Sequence, residues 1–197
     1  MDRLRSPGGC PWDAAQTHES LTRYLLEEAY EVIEAIETGD IALLREELGD
    51  LLLQVLFHAR ITRELPDDEA FGIDEVAADL VDKLIRRHPH VFAETEAGST
   101  ADLNEAWERQ KVVEKGRTSA VDGVPLNQPA LALTAKLVAR AARADLDVAV
   151  SEPADEIGPR LLAVVRDAVA AGVDPEAALR KTARLYRDTI RSAESTG

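Results

Sequence analysis

Six carboxylates between positions 27 and 50 are the residues best placed to do chemistry. Glu27, Glu28 and Glu31 form one cluster, and Glu46, Glu47 and Asp50 form another. Both share one layout, an adjacent acidic pair followed by an acid three residues after its second member. On an α-helix three residues advance about 300° and rise about 4.5 Å, so Glu28 and Glu31 share a face. Glu27, four residues from Glu31, joins them on that side, and the same geometry holds for the second cluster. Thr38-Gly39-Asp40 separates the two. Gly39 suits the position just past a helix end, and Asp40 suits the N-cap of the next helix. The predicted unit is a helical hairpin whose acidic faces turn toward each other. Like charge at this density is costly in a partly buried setting without a cation. Hard oxygen ligands with neither Cys nor His select Mg²⁺, with Mn²⁺ as the alternative.

The surrounding residues set these acids apart from ordinary solvated ones such as Glu34, Glu37, Glu64 and Glu69. Leu25, Ala29, Val32 and Ile36 form an apolar stripe on the first helix. Leu48, Leu51, Leu52, Leu53, Val55, Leu56 and Phe57 make the second helix apolar nearly all round, the pattern of a buried helix. One small module has too little material to cover it. A homodimer is therefore expected, with helices of the N-terminal module forming a four-helix bundle around the active sites.

Composition narrows the class. The chain has 197 residues, 45% of them hydrophobic but only 4% aromatic, so its core must be built from Leu, Val, Ile and Ala. That composition favours helices, and the expected fold is all-α. A formal charge of −14 and a pI near 4.7 repel nucleic acid and make it an unexpected partner. Cys10 is the single cysteine, which excludes a disulfide framework and a thiolate metal site. No apolar run approaches the ~20 residues of a membrane span, and the N-terminus has no signal-peptide core. No membrane partner is expected, and the expected location is cytoplasmic.

Along the chain, residues 1–16 read as a loop rich in Pro and Gly, in which Trp12 either pins the loop to the core or walls a bound base. Asp13 or Thr17 caps a first helix that runs to about Thr38. A second helix runs from about Asp40 to Leu65 and stops at Pro66-Asp67-Asp68. A third begins near Asp74, with Ile73, Val76, Ala77, Leu80 and Leu84 expected to face the core. Its other side carries Lys83, Arg86 and Arg87, the densest basic spot in the chain, suited to clamping phosphate oxygens. His88-Pro89-His90 reads as a structural turn. A helix over about 102–115 carries Trp107, Lys111 and Lys115. Residues 116–129 form a linker, and helices follow at about 130–144, 155–171 and 174–193.

The segments GGCPWD (8–13), QTHESL (16–21), LLEEAYEVIEAI (25–36), EELGDLLLQVLFHA (46–59), DKLIRRHPHVF (82–92) and DGVP (122–125) resemble MazG, a family within the all-α NTP pyrophosphatase superfamily. The match covers the N-terminal module and starts abruptly at the chain's beginning, as expected where an upstream region is missing. The resemblance implies Mg²⁺-dependent cleavage of nucleoside triphosphates to the monophosphate and pyrophosphate. It implies Glu28, Glu31, Glu47 and Asp50 as metal ligands. Glu27 and Glu46 would support them or orient the attacking water. Lys83, Arg86 and Arg87 would meet the triphosphate, with Lys83 also counted as catalytic, and Trp107 would lie near the base.

The resulting division is a catalytic module over 1–115, a linker over 116–129 and a second, degenerate MazG-like module over 130–197. Asp155-Glu156-Ile157-Gly158 echoes Glu46-Glu47-Leu48-Gly49, but Pro159 stands where Asp50 has its counterpart, and Ser151-Glu152-Pro153 precedes it where an EExxE helix belongs. Three other functions compete. A ferritin-type di-iron site requires Glu-x-x-His, and no His here has Glu three residues before it. A helical binding module without turnover and a pyrophosphatase restricted to one modified dNTP both remain compatible with the residues.

Overall fold

The computed structural model describes residues 1–93, 98–114, 116–150, 153 and 156–195. Ten helices and no strand occur among them, as the all-α reading requires. The chain divides into two compact units, Met1–Leu103 and Asn104–Gly197.

The first unit is organised by the hairpin of α3 (His18–Thr38) and α4 (Ile41–Thr62). Local chemistry fixes both ends of each helix. Thr17 and Ser20 form a reciprocal capping box at the start of α3, with Ser20 N donating to Thr17 Oγ1 at 3.2 Å and Thr17 N donating to Ser20 Oγ at 2.9 Å. Gly39 ends the helix at φ 74°, a left-handed conformation that glycine adopts without a Cβ clash. Asp40 then caps α4, its Oδ1 accepting from Ala42 N and Leu43 N at 3.0 Å each. A cap of this kind contributes about 1 kcal/mol. With two residues between the helices, they must run antiparallel and in contact.

At the open end of the hairpin Leu21, Phe57 and Ile61 form a buried cluster, with Met1 and Tyr24 packed against it. Beside it His18 and His58 join the two helices. Their Nδ1 atoms are 2.7 Å apart, and their rings stack at 5.0 Å with planes 2° apart. Burial, then the neighbouring His18, pushes the His58 pKa below its ordinary value of 6.5.

Residues 1–16, expected as a loop, instead hold two short helices, α1 (Asp2–Arg5) and α2 (Pro11–Ala15). The cause is Arg5, whose buried guanidinium organises the segment. It donates to both carboxylate oxygens of Glu64 at 3.0 and 2.9 Å, to the carbonyls of Asp13 and Gln16, and lies 5.7 Å from the Phe57 ring centre. Glu64 is therefore not simply solvated, as expected of it, and its pKa is held down chiefly by the Arg5 hydrogen bond. Trp12 meets Tyr24 and Phe57 edge-on at 5.9 and 6.4 Å while 51% exposed, so it pins the segment and still presents a ring to solvent. A Cβ on Gly9 would fall 2.2 Å from the Leu4 carbonyl oxygen, which accounts for a glycine in that turn.

Beyond α4, Thr62 Oγ1 donates to Phe71 O at 2.6 Å, and α5 (Ile73–Arg87) starts at Gly72, whose N–H donates to Glu75 Oε2 at 2.7 Å. The stripe expected to face the core is open on this chain: Ile73, Leu80 and Leu84 are 37–46% exposed. The His88-Pro89-His90 turn is a one-turn helix, α6 (Pro89–Phe92).

The second unit contains most of α7 (Thr100–Glu114), then α8 (Ala130–Arg143), α9 (Ile157–Ala170) and α10 (Pro175–Glu194). Arg140 ties α8 to the DGVP turn through the carbonyls of Ala120 and Asp122, at 3.1 and 2.7 Å. Its buried apolar residues among those described are Val124, Val165 and Pro175, a thin core. No helix of the described residues is long and apolar enough to cross a membrane.

The His pair predicts a pH response. A lowered folded pKa means that the unfolded chain takes up the proton first as pH drops. The stability that neutral His58 contributes is complete above pH 6.5 and lost as pH falls below it through the folded pKa. Metal-free wild type should therefore lose more thermal stability between pH 7.5 and 5.5 than His58→Gln does. Parallel Tm–pH curves for the two proteins would refute this.

Candidate metal centre

Glu28 on α3 and Glu47 and Asp50 on α4 each offer an oxygen, all three within 4.8 Å of one another. Glu31, exposed on α3, lies close enough to both Glu28 and Glu47 to disfavour their charged forms. The two acidic faces thus meet across the hairpin. Glu47 is buried, 9% exposed, and Glu28 and Asp50 are half-buried.

Their surroundings follow from helix register. The buried line of α4 runs Glu47, Gln54, Phe57 and Ile61, with half-buried Asp50 in step between the first two. These positions recur every three or four residues, the spacing of one helix face. On α3 the buried positions are Leu21, Val32 and Ala35, with Glu28 in step. The stripe expected on α3 was Leu25, Ala29, Val32 and Ile36. Of these only Val32 is buried, and Leu25 and Ile36 are 37% and 60% exposed. The side that meets α4 is the acidic one, which turns the apolar side partly outward. On the single chain α4 is left partly uncovered, as expected of one small module: Leu48, Leu52, Leu53 and Val55 are 37–54% exposed.

Burial first, then the neighbouring carboxylates, raises the pKa of Glu28 and of Glu47 above 4.5. Every charged neighbour that raises them is an acid. Such a set fits a hard divalent cation. Oxygens bound to Mg²⁺ at about 2.1 Å stand roughly 3.0–4.2 Å apart, so the three oxygens need only side-chain adjustment to share one ion. Gln54, next in line on α4, is 5% exposed and its Oε1 lacks a hydrogen-bond partner, a further polar group inside this stretch of the hairpin.

The other expected site residues lie elsewhere. Glu27 and Glu46 are exposed, beside the cluster in sequence. Lys83, Arg86 and Arg87 sit in the last turns of α5, with Lys83 and Arg87 half-buried. Trp107 is half-buried on the part of α7 that belongs to the second unit. Lys115 and Ser151-Glu152 fall outside the described residues. Glu156 is the exposed N-cap residue of α9, outside the helix, whereas Glu47 lies in the second turn of α4, so the sequence echo does not reproduce its setting. A cavity of about 650 Å³ in the second unit is lined mainly by apolar residues such as Leu137, Val138, Leu146 and Leu162. Its polar lining is Asp145, Asp147 and Arg166. Gln54 and the His18–His58 pair were not foreseen as polar members of the hairpin, although Gln54 stands four residues from Asp50 on the acidic face.

Residues 16–92, the stretch containing the hairpin, match the model of the MazG nucleotide pyrophosphohydrolase domain. The chain is 54% identical over 195 residues to an uncharacterized 26.1 kDa protein of Streptomyces cacaoi, covering 98% of this chain and 79% of that one. It is 38% identical to the nucleoside triphosphate pyrophosphohydrolase/pyrophosphatase MazG of Thermotoga maritima, covering 98% and 82%. The chain belongs to the MazG family. A nucleoside triphosphate pyrophosphohydrolase of Mycolicibacterium smegmatis is 46% identical, and there the chain spans 57% of the relative's length. A crystal structure of a MazG-related protein from Thermotoga maritima aligns with 53% of this chain and 88% of its own, at a TM-score of 0.44 and 31% identity. Within the MazG match fall all six clustered acids and Lys83, Arg86 and Arg87, while Trp107 lies beyond it.

The crowding of like charge has a measurable consequence. Glu47→Gln removes a buried acid from among its repelling neighbours, so it should raise the Tm of the metal-free protein and reduce the further rise produced by Mg²⁺. Differential scanning calorimetry with and without Mg²⁺ measures both. A lower metal-free Tm would mean that the cluster is internally satisfied.

Proposed function

We propose that this chain hydrolyses nucleoside triphosphates to the nucleoside monophosphate and pyrophosphate, using Mg²⁺ or Mn²⁺ held by Glu28, Glu31, Glu47 and Asp50. The observation that carries the reading is the gathering of Glu28, Glu47 and Asp50 within 4.8 Å inside the segment that matches the family. A triphosphate brings about four negative charges, so an acidic site would accept it only with a divalent cation held by Glu28, Glu31, Glu47 and Asp50 to offset them. When bound, the cation neutralises charge on the leaving pyrophosphate and makes water more nucleophilic. The protein's own contribution is positional. The hairpin presents its ligands from two helices locked by caps at the turn. Glu27 or Glu46, exposed beside the ligands, orients the attacking water and accepts its proton. Lys83, Arg86 and Arg87 contact phosphate oxygens. No Ser, Cys or Lys nucleophile is required. A cytoplasmic location, where nucleotides are abundant, belongs to the same reading.

The degenerate module over 130–197 is structural or regulatory in this scheme. Its Glu156 stands exposed at the N-cap position of α9 without a side-chain capping hydrogen bond, and Pro159 offers no oxygen to a cation. A residue range of 1–115 for the catalytic module and 130–197 for the degenerate one is part of the proposal.

The exposed apolar residues of α3, α4 and α5 support a homodimer in which helices of two N-terminal modules form a four-helix bundle. Light scattering at micromolar concentration should give twice the chain mass of 21.5 kDa. A monomer mass would exclude the bundle.

A panel of NTPs and dNTPs with Mg²⁺, scored for monophosphate and pyrophosphate, tests the activity directly, and no release from any of them would sink it. Within that assay Glu31→Gln and Asp50→Asn should each lose about 100-fold or more in rate, the scale of comparable electrostatic deletions, while remaining folded. Glu156→Gln should stay within about twofold of wild type, since one exposed carboxylate builds no metal site. Loss in Glu156→Gln equal to that in Asp50→Asn would place turnover in the second unit as well.

A further inference from the structure

Gln54 is the polar residue that the reading above leaves without a role. It lies on the inner stripe of α4, four residues after Asp50 and three before Phe57, and is 95% buried in a hairpin core. Its Oε1 has no hydrogen-bond partner. A buried, unsatisfied amide oxygen costs about 1–3 kcal/mol, and an apolar side chain of the same shape avoids that cost. Its position in the register narrows what it could serve. Glu28 meets Asp50 across the hairpin, and Leu21 packs on Phe57. Gln54 stands between Asp50 and Phe57 on α4, so its level on α3 lies between Glu28 and Leu21, at Tyr24 and Leu25. It occupies the first layer below the carboxylates, before the apolar cluster begins.

The stripe that contains Gln54 faces α3, whereas Leu48, Leu52 and Val55 point away from it, so a second copy seated on those residues would not reach the amide oxygen. What the oxygen needs is a hydrogen-bond donor. A Mg²⁺-type cation keeps several of its waters when it binds to carboxylates, and such waters are strong donors. A neutral acceptor also suits this place better than a further acid would, since it adds no like charge to the crowded carboxylates.

Resting on the metal reading given above, we propose that Gln54 is a positioning residue of the centre, its Oε1 accepting a hydrogen bond from a water in the hydration shell of the cation held by Glu28, Glu47 and Asp50. Side chains in this supporting position change metal affinity or activity by about 10–100-fold.

The test is Mn²⁺ binding by calorimetry on the full chain without nucleotide, for wild type and Gln54→Met, together with the Tm of each without metal. Methionine keeps the volume and removes the acceptor. The expected result is Mn²⁺ affinity weakened at least 10-fold, with a metal-free Tm equal to or above that of wild type, because the exchange removes an unsatisfied buried group. A smaller loss of Mn²⁺ affinity overturns the proposal, including the case where only nucleotide affinity falls, which would assign the donor to the nucleotide. A lowered metal-free Tm with reduced helical circular dichroism also overturns it, since Gln54 would then be a packing element. Wild type that binds no Mn²⁺ overturns the metal reading itself. Wild type that binds beside an equally good Gln54→Met overturns the role of Gln54 alone.

Discussion

The constraint on which the first unit depends is that carboxylates occupy core positions of a two-helix hairpin. Glu28 and Glu47 stand where leucine or valine would ordinarily close the contact between α3 and α4. The hairpin compensates on both sides of them. Toward the turn Val32 and Ala35 are buried, and the caps at Gly39 and Asp40 fix where each helix ends and begins. Toward the open end Leu21, Phe57 and Ile61 form the apolar cluster, and Arg5 reaches across to Glu64. The acids are held close because the residues around them satisfy the packing that they do not.

This division explains why the site was more legible in the sequence than its surroundings. The EExxE and ExxD spacings state a helix face directly, and Gly39-Asp40 states the turn, so the meeting of Glu28 with Glu47 and Asp50 follows from local rules. The apolar face of α3 was misjudged for a related reason. Leu25, Ala29, Val32 and Ile36 make a good amphipathic stripe, but tertiary contact selects which face is buried, and here the charged line was selected. The helices within residues 1–16 depend on Arg5 meeting Glu64, 59 positions away, and no local pattern encodes such a contact. Gln54 sat in plain view on the acidic face, but a lone amide carries no spacing signature.

The two units show how similar strings of residues can take different settings. Asp-Glu-Ile-Gly at 155–158 keeps the look of Glu-Glu-Leu-Gly at 46–49. Yet α4 begins six residues before Glu47, whereas α9 begins one residue after Glu156. An acid within a helix is aimed by its turns at a neighbouring helix. An acid at the cap is directed to its own backbone or to solvent.

The two-residue connection between α3 and α4 sets limits on change in chain length. Substitutions on the outer faces leave the inner stripe aligned. One residue inserted into α4 between Asp40 and Glu47 would rotate everything after it by about 100° relative to the cap, carrying Glu47, Asp50 and Gln54 off the stripe together. Lengthening the turn itself would free α4 to slide against α3, exchanging acid-to-acid for acid-to-leucine pairing. A lineage of such hairpins can therefore drift widely in composition while insertions and deletions are confined to the segments outside the hairpin.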